Sequence, residues 1–269
     1  MALSDNLTRL VLTRSGDDGA VLWIVLSNAK MRNAMDDAMQ QELIATFRAL
    51  AQDESVRCVV VRGQGDAFSS GGDIGAFQGM GPDKSHWYAT QRGEVVQDAV
   101  ARIGKPLIAA VDGWCLAGGC ELLLMADFAY ASTAAKFGLT EIRIGLLPGW
   151  GGVTRLPLAV GLRRAREMLF RGEIIDSDEA LRIGLINRSF DNAEALYAAA
   201  EQAAQEIASR SRAAIRAARE LTDLASGRDQ AHCMALERGA TVHLSATADA
   251  REGVAAFLEK RAPRFNQTS

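Results

Sequence analysis

The chain has 269 residues, 48% of them apolar, a mean hydropathy near zero and a net charge of −3. That composition supplies a sizeable core and excludes a disordered chain, while the slightly acidic balance gives nucleic acid or an anionic membrane little to hold. Cys58, Cys115, Cys120 and Cys233 are too scattered for a disulfide framework or a zinc site, no apolar run reaches the roughly 18 residues needed to cross a bilayer, and the charged N-terminus does not read as a secretory signal, so a soluble, cytoplasmic protein with no metal is expected.

In chain order, residues 10–13 and 21–26 read as strands around a Ser15-Gly16-Asp17-Asp18-Gly19 turn. A polar loop, Lys30-Met31-Arg32-Asn33-Ala34, leads to a helix capped by Asp36 or Asp37, with Met39, Leu43, Phe47 and Leu50 at helical spacing. Cys58-Val59-Val60-Val61 has the unbroken apolar character of a strand buried on both faces. Strand, helix and strand in that order predict an α/β architecture. Gly63-Gln64-Gly65 after the strand does not open a dinucleotide fingerprint, because Phe68 stands where the third glycine belongs. Phe68-Ser69-Ser70-Gly71-Gly72-Asp73-Ile74 is a turn of small residues able to present bare N–H groups, with Asp73 as a helix cap as the plainer reading. Gly81-Pro82-Asp83 reads as a loop and residues 86–103 as a helix.

Residues 107–111 form the next apolar strand, followed by Ala117-Gly118-Gly119 and a helix over residues 120–126. Glu121 lies among Cys120, Leu122, Leu123, Leu124 and Met125, and an unpartnered carboxylate in dry surroundings costs several kcal/mol. Glu141 follows twenty residues later and leads into Pro148-Gly149-Trp150-Gly151-Gly152; alone it would pass for a surface glutamate. Further on, residues 156–171 are helical with a break at Gly161, residues 177–183 are helical, and residues 184–187 read as a short strand. From Ala193 the composition becomes alanine-rich with interspersed charges, and residues 195–226 and 229–262 predict two or three amphipathic helices. His86, His232 and His243 lack a partner pattern, and Trp114 and Trp150 read as packing residues or pocket walls.

Two glycine turns and two carboxylates suit the addition of water across a double bond conjugated to a thioester. Its enolate-like transition state places charge on the thioester oxygen, where fixed N–H donors contribute roughly 3 kcal/mol each. One carboxylate activates water and the other supplies the α-proton, provided that their surroundings hold them in different protonation states.

These segments, with the tail Glu252-Gly253 and Phe257-Leu258-Glu259-Lys260-Arg261, together resemble the enoyl-CoA hydratase/isomerase (crotonase) superfamily along nearly the whole chain. The resemblance implies an α/β spiral of ββα units over residues 1–195, carrying the site, and a helical trimerisation region over residues 196–269. It implies oxyanion-hole amides at Gly72 and Gly118, catalytic glutamates at Glu121 and Glu141, and a water-positioning amide at Gly149. Lys30, Met31, Arg32, Ala34, Asp73 and Ile74 would follow the CoA nucleotide, joined by Phe257 and Lys260. Coenzyme A would enter as part of an acyl-CoA substrate, no prosthetic group is implied, and the assembly would be a homotrimer or a hexamer. The pair of glutamates favours an enoyl-CoA hydratase over isomerase or hydratase/lyase relatives and over a non-catalytic acyl-CoA-binding relative. Gly75 stands where many members carry a lysine, and Trp150 replaces a smaller residue, which puts nucleotide contacts and acyl-chain length in question.

Overall fold

The computed structural model describes residues 7–77, 94–225, 227 and 229–267. The expected Gly81-Pro82-Asp83 loop, His86 and the first part of the helix over 86–103 lie outside the described residues; that helix is seen as Glu94–Ala101.

Strands β1 (Leu10–Ser15) and β2 (Val21–Leu26) form an antiparallel hairpin. β2 continues into a parallel ladder with β3 (Cys58–Gly63), β5 (Leu107–Val111), β7 (Phe128–Ser132) and β10 (Arg188–Phe190). A second, smaller sheet runs β4 (Ala67–Ser69), β6 (Trp114–Leu116), β8 (Lys136–Gly138) and β9 (Ile175–Asp176), parallel except at the last pair. Successive strand pairs therefore step from the large sheet to the small one: β3 to β4, β5 to β6, β7 to β8. A helix follows each pair, and the result is a spiral of ββα turns.

The first two of these steps are tight enough to require glycine. A Cβ on Gly63 would fall 2.0 Å from the Ala67 carbonyl oxygen, and one on Gly113 would fall 1.9 Å from that of Asp66. Neither position has room for a side chain.

The large sheet is buried on both faces, as its unbroken apolar runs predict. Leu22, Ile24, Val59, Val61, Leu107, Ala109 and Val111 enter the main core between the sheets and helices. The alternate residues Val21, Trp23, Cys58, Val60, Ile108 and Ala110 face the other way, onto Leu196, Ala200, Ala204 and Ala208.

Ten α-helices occur among the described residues. α1 (Asp37–Gln52) begins at Asp36, whose side chain accepts the Met39 N–H, and buries Met39, Leu43, Phe47 and Leu50. α2 (Glu94–Ala101) and α3 (Gly118–Met125) follow; α3 starts two residues earlier than the apolar pattern suggested. α4 (Gly152–Val160) and α5 (Leu162–Arg171) divide at Gly161, and α6 (Ser177–Arg182) comes next. The strand expected over 184–187 is instead a bend, and pairing begins at Arg188. Gly184 has φ +80°, Leu185 N–H turns back to the Ala180 carbonyl, and Asn187 docks on Ala129, so the chain joins the sheet only after these residues.

Four helices, rather than two or three, complete the chain: α7 (Ala193–Ala208), α8 (Arg212–Ala225), α9 (Gln230–Ser245) and α10 (Ala248–Leu258). Caps at Asn192, Asp229 and Thr247 punctuate the alanine-rich sequence. The division expected at 195/196 falls inside α7, whose alanine face packs on the large sheet. His232 and His243 are exposed on α9. No helix among the described residues is long and apolar enough to cross a membrane.

Candidate active site

Two glycine turns meet where β4 and β6 end. Gly71 has φ +99°, and a Cβ there would lie 2.6 Å from the Ala117 side chain and 3.1 Å from the Gly118 nitrogen. Ala117 itself adopts φ 47°, ψ −123°, a conformation that costs a non-glycine residue about 1–3 kcal/mol. That strained residue turns β6 into α3 and leaves Gly118 N–H as the first of the helix. A Cβ on Gly118 would stand 3.6 Å from the Gly72 nitrogen, so the two amides border one small space. Among the described residues neither amide donates to a protein acceptor.

One turn into α3, Glu121 is only 3% exposed. Its Oε1 accepts the Trp150 N–H at 2.6 Å and the Gly152 N–H at 2.9 Å. Burial pushes its pKa up, whereas the Gly152, Trp150 and Gly149 amides and the Arg155 charge pull it back by favouring the ionised form. Gly152 must be glycine for this approach, because a Cβ there would sit 3.1 Å from Glu121 Cγ and 2.9 Å from Pro148 Cβ.

Glu141 opens a 3-10 turn, Glu141–Ile144, and is partly exposed. Its Oε2 is buried without a hydrogen-bond partner among the described residues. Burial first and the Glu121 charge second raise its pKa to about 7, against the pull of its own backbone N–H. That effect of Glu121 on Glu141 places both carboxyls in one electrostatic neighbourhood. Burial thus leaves both carboxyls above the ordinary carboxylate range, Glu121 in spite of the amides that favour its anion and Glu141 at about 7.

The Lys30–Ala34 loop lies alongside the first glycine turn. Ser70 N–H donates to the Arg32 carbonyl, Met35 N–H to that of Gly71, and Ser69 Oγ to that of Asn33. Lys30, Met31, Arg32 and Ile74 are exposed beside this seam, Ala34 is buried, and Asp73 caps Gly75 N–H as the plainer reading had it. Phe257, 84% exposed on α10, and Lys260 just beyond it have no hydrogen bond or ion pair to the two glycine turns among the described residues. Trp150 is buried in the main core, but its backbone N–H on Glu121 was not evident from its side chain. Gln97 and Arg155, which hydrogen-bond to each other against Gly151 of the 148–152 bend, carried no sequence signal.

Two amides without a protein acceptor among the described residues, and two carboxyls of raised pKa, mounted on a ββα spiral, define a crotonase-type scaffold. The family model described as enoyl-CoA hydratase/isomerase matches residues 16–268. A probable enoyl-CoA hydratase of Rhizobium meliloti (strain 1021) is 38% identical over 247 residues, covering 92% of this chain and 95% of that protein. A crotonyl-CoA hydratase of Syntrophomonas wolfei is 35% identical, covering 91% and 94%. The crystal structure of enoyl-CoA hydratase from Bacillus anthracis superposes with a TM-score of 0.90 at 29% identity, over 96% of this chain and 99% of that one. The chain belongs to the enoyl-CoA hydratase/isomerase family.

Proposed function

We propose that this chain is an enoyl-CoA hydratase, adding water reversibly to a 2-enoyl-CoA to give a 3-hydroxyacyl-CoA. The observation that carries this reading is the pair Glu121 and Glu141: one carboxyl held by two amide donors, the other raised to about pKa 7. The thioester oxygen accepts the Gly72 and Gly118 N–H groups, which take up the charge of the enolate at roughly 3 kcal/mol each. Glu121, ionised, takes a proton from water as the oxygen attacks C3. Glu141 gives its proton to C2 on the same face, so the addition is syn. Glu121 ends protonated and Glu141 ionised, and exchange of one proton resets the pair. Gly149, whose amide lies near Glu121, helps to position the water.

The Lys30–Ala34 loop with Asp73 and Ile74 follows the CoA nucleotide, and Phe257 and Lys260 reach a CoA from the C-terminal helix. Coenzyme A arrives with the substrate, and no prosthetic group takes part. Residues 1–195, covered on one face of the large sheet by the rest of α7, form the core carrying the site, and residues 196–269 otherwise serve a homotrimer or a dimer of trimers. The exposed apolar side chains of α10 and of the 141–171 region, among them Leu147, Phe170 and Phe257, are suited to such contacts. The protein works in the cytoplasm.

Mixing purified protein with crotonyl-CoA and following the ultraviolet band of the conjugated thioester tests the reading. The band should be lost on wild-type protein, and Glu121→Gln and Glu141→Gln should each slow the loss by about 10³-fold or more. An unchanged band over hours would support an acyl-CoA-binding protein instead. Retention of activity by either variant would point to a one-carboxylate isomerase.

A further inference from the structure

Arg155 lies on α4, one turn beyond the glycine-rich bend that holds Glu121. Its Nη1 donates to Gln97 Oε1 of α2 at 2.7 Å. The pair presses on Gly151: a Cβ built there would stand 2.3 Å from Arg155 Nη1 and 2.6 Å from Gln97 Oε1. Gly151 has φ +92° and separates Trp150 and Gly152, the two residues whose amides bond Glu121 Oε1. Its carbonyl also accepts the Arg155 and Thr154 N–H groups, closing a compact turn around the same glycine. On the far side, Gln97 and Arg155 border an open cleft of about 990 Å³ that also includes Leu124, Leu158, Arg219 and Asp223. The pair is thus the partition between that cleft and the bend behind Glu121.

We propose that Arg155, held by Gln97, is a positioning residue for hydration: it props Gly151 so that the flanking amides stay on Glu121 Oε1, and it sets a positive charge behind that carboxylate. The inference rests on the hydratase reading and on Glu121 as the base. Two effects follow from one side chain. Geometry keeps the amides converged, and charge stabilises the anion against the desolvation it suffers in the core. The other titratable groups around Glu121 do not supply that charge. Glu141 is acidic, the Cys115 thiol of β6 and the neighbouring Cys120 thiol carry no positive charge, and Asp98 of α2 pairs with Arg102 at the surface. β4 offers no titratable side chain. Burial lowers the pKa of Arg155, and Asp223 across the cleft and Glu121 oppose that by favouring its charged form.

Steady-state hydration of crotonyl-CoA across pH by Arg155→Gln, Arg155→Lys and Gln97→Met tests this. Arg155→Gln should lower kcat about 30-fold, leave KM within about twofold, and move the acid limb of the pH profile up by about one unit, because Glu121 then ionises later. Arg155→Lys should return the acid limb to its wild-type position and recover part of kcat. Gln97→Met, which keeps the charge but releases the prop, should lower kcat about fivefold with the limb unmoved. A folded Arg155→Gln with wild-type limb positions would overturn the proposal, as would an Arg155→Lys limb no different from that of Arg155→Gln. Should Arg155→Gln fail to fold, wild-type kcat in Gln97→Met would overturn it. A wild-type protein inactive on crotonyl-CoA would instead strike the hydratase reading.

Discussion

At the scale of single residues, Glu141 sets chemistry against stability. Its carboxyl is raised to about 7 in the folded chain from an ordinary 4.5. Below about pH 4.5 both folded and unfolded states hold the proton, and the stabilisation that goes with the raised pKa is fully present. As pH rises toward 7 the unfolded state releases its proton first, so the stabilisation present at low pH is lost, and the loss is complete above the folded pKa. The Glu141→Gln protein does not titrate there. Its stability advantage over wild type in urea denaturation should therefore grow by about 2–3 kcal/mol between about pH 4 and pH 8, a figure reduced for partial exposure. A constant difference across that range would mean that Glu141 is not buried as described. From sequence, Glu121 stood out through its apolar neighbours, but Glu141 did not. Its exposed-looking setting, before Ile142-Arg143-Ile144, conceals a buried Oε2 that only the fold creates. Arg155 was wholly silent, since a lone arginine in a helix says nothing about the glycine it will press on.

Among the elements, α3 and the turn into it do most to shape the site, and adjacent glycines at its start have opposite reasons to be glycine. A Cβ on Gly118 meets only ordinary contacts, the nearest being Gly72 N at 3.6 Å, whereas one on Gly119 would drive to 2.6 Å from the Ser69 carbonyl. Gly118→Ala should therefore fold with an unchanged melting temperature and lose about 10²-fold or more in kcat, because its methyl intrudes beside the amides. Gly119→Ala should cost about 2 kcal/mol or more of stability, since backbone on either side must move. Equal melting temperatures for the two variants would contradict this division. The strands were legible because sheet burial leaves unbroken apolar runs: β2 and β5 fall where periodicity placed them, and β1 runs two residues longer. The misplaced strand at 184–187 shows the limit of that signal. Leu185 and Ile186 are apolar because they are buried in the main core, not because they pair in a sheet.

For the whole molecule, the ββα spiral places β4 and β6 side by side although 47 residues separate the starts of the two strands, and that adjacency brings Gly72 to Gly118. Motifs far apart in sequence announced the site, but their convergence depends on the two tight steps at Gly63 and Gly113. The C-terminal helices were legible only as helical composition; their number depends on the caps at Asp229 and Thr247. Light scattering should give three or six times the 28.8 kDa chain mass, and a monomer would leave the apolar side chains of α10 without the occupant proposed for them.

The most direct test is the isotopic content of the product formed from crotonyl-CoA in water enriched in deuterium and oxygen-18. Hydration by this site requires one solvent oxygen at C3 and one solvent deuterium at C2, on the same face, at the first turnover. Loss of the conjugated band without oxygen-18 at C3, or with deuterium placed at C4, would contradict the two-carboxylate addition and identify a proton-shifting reaction.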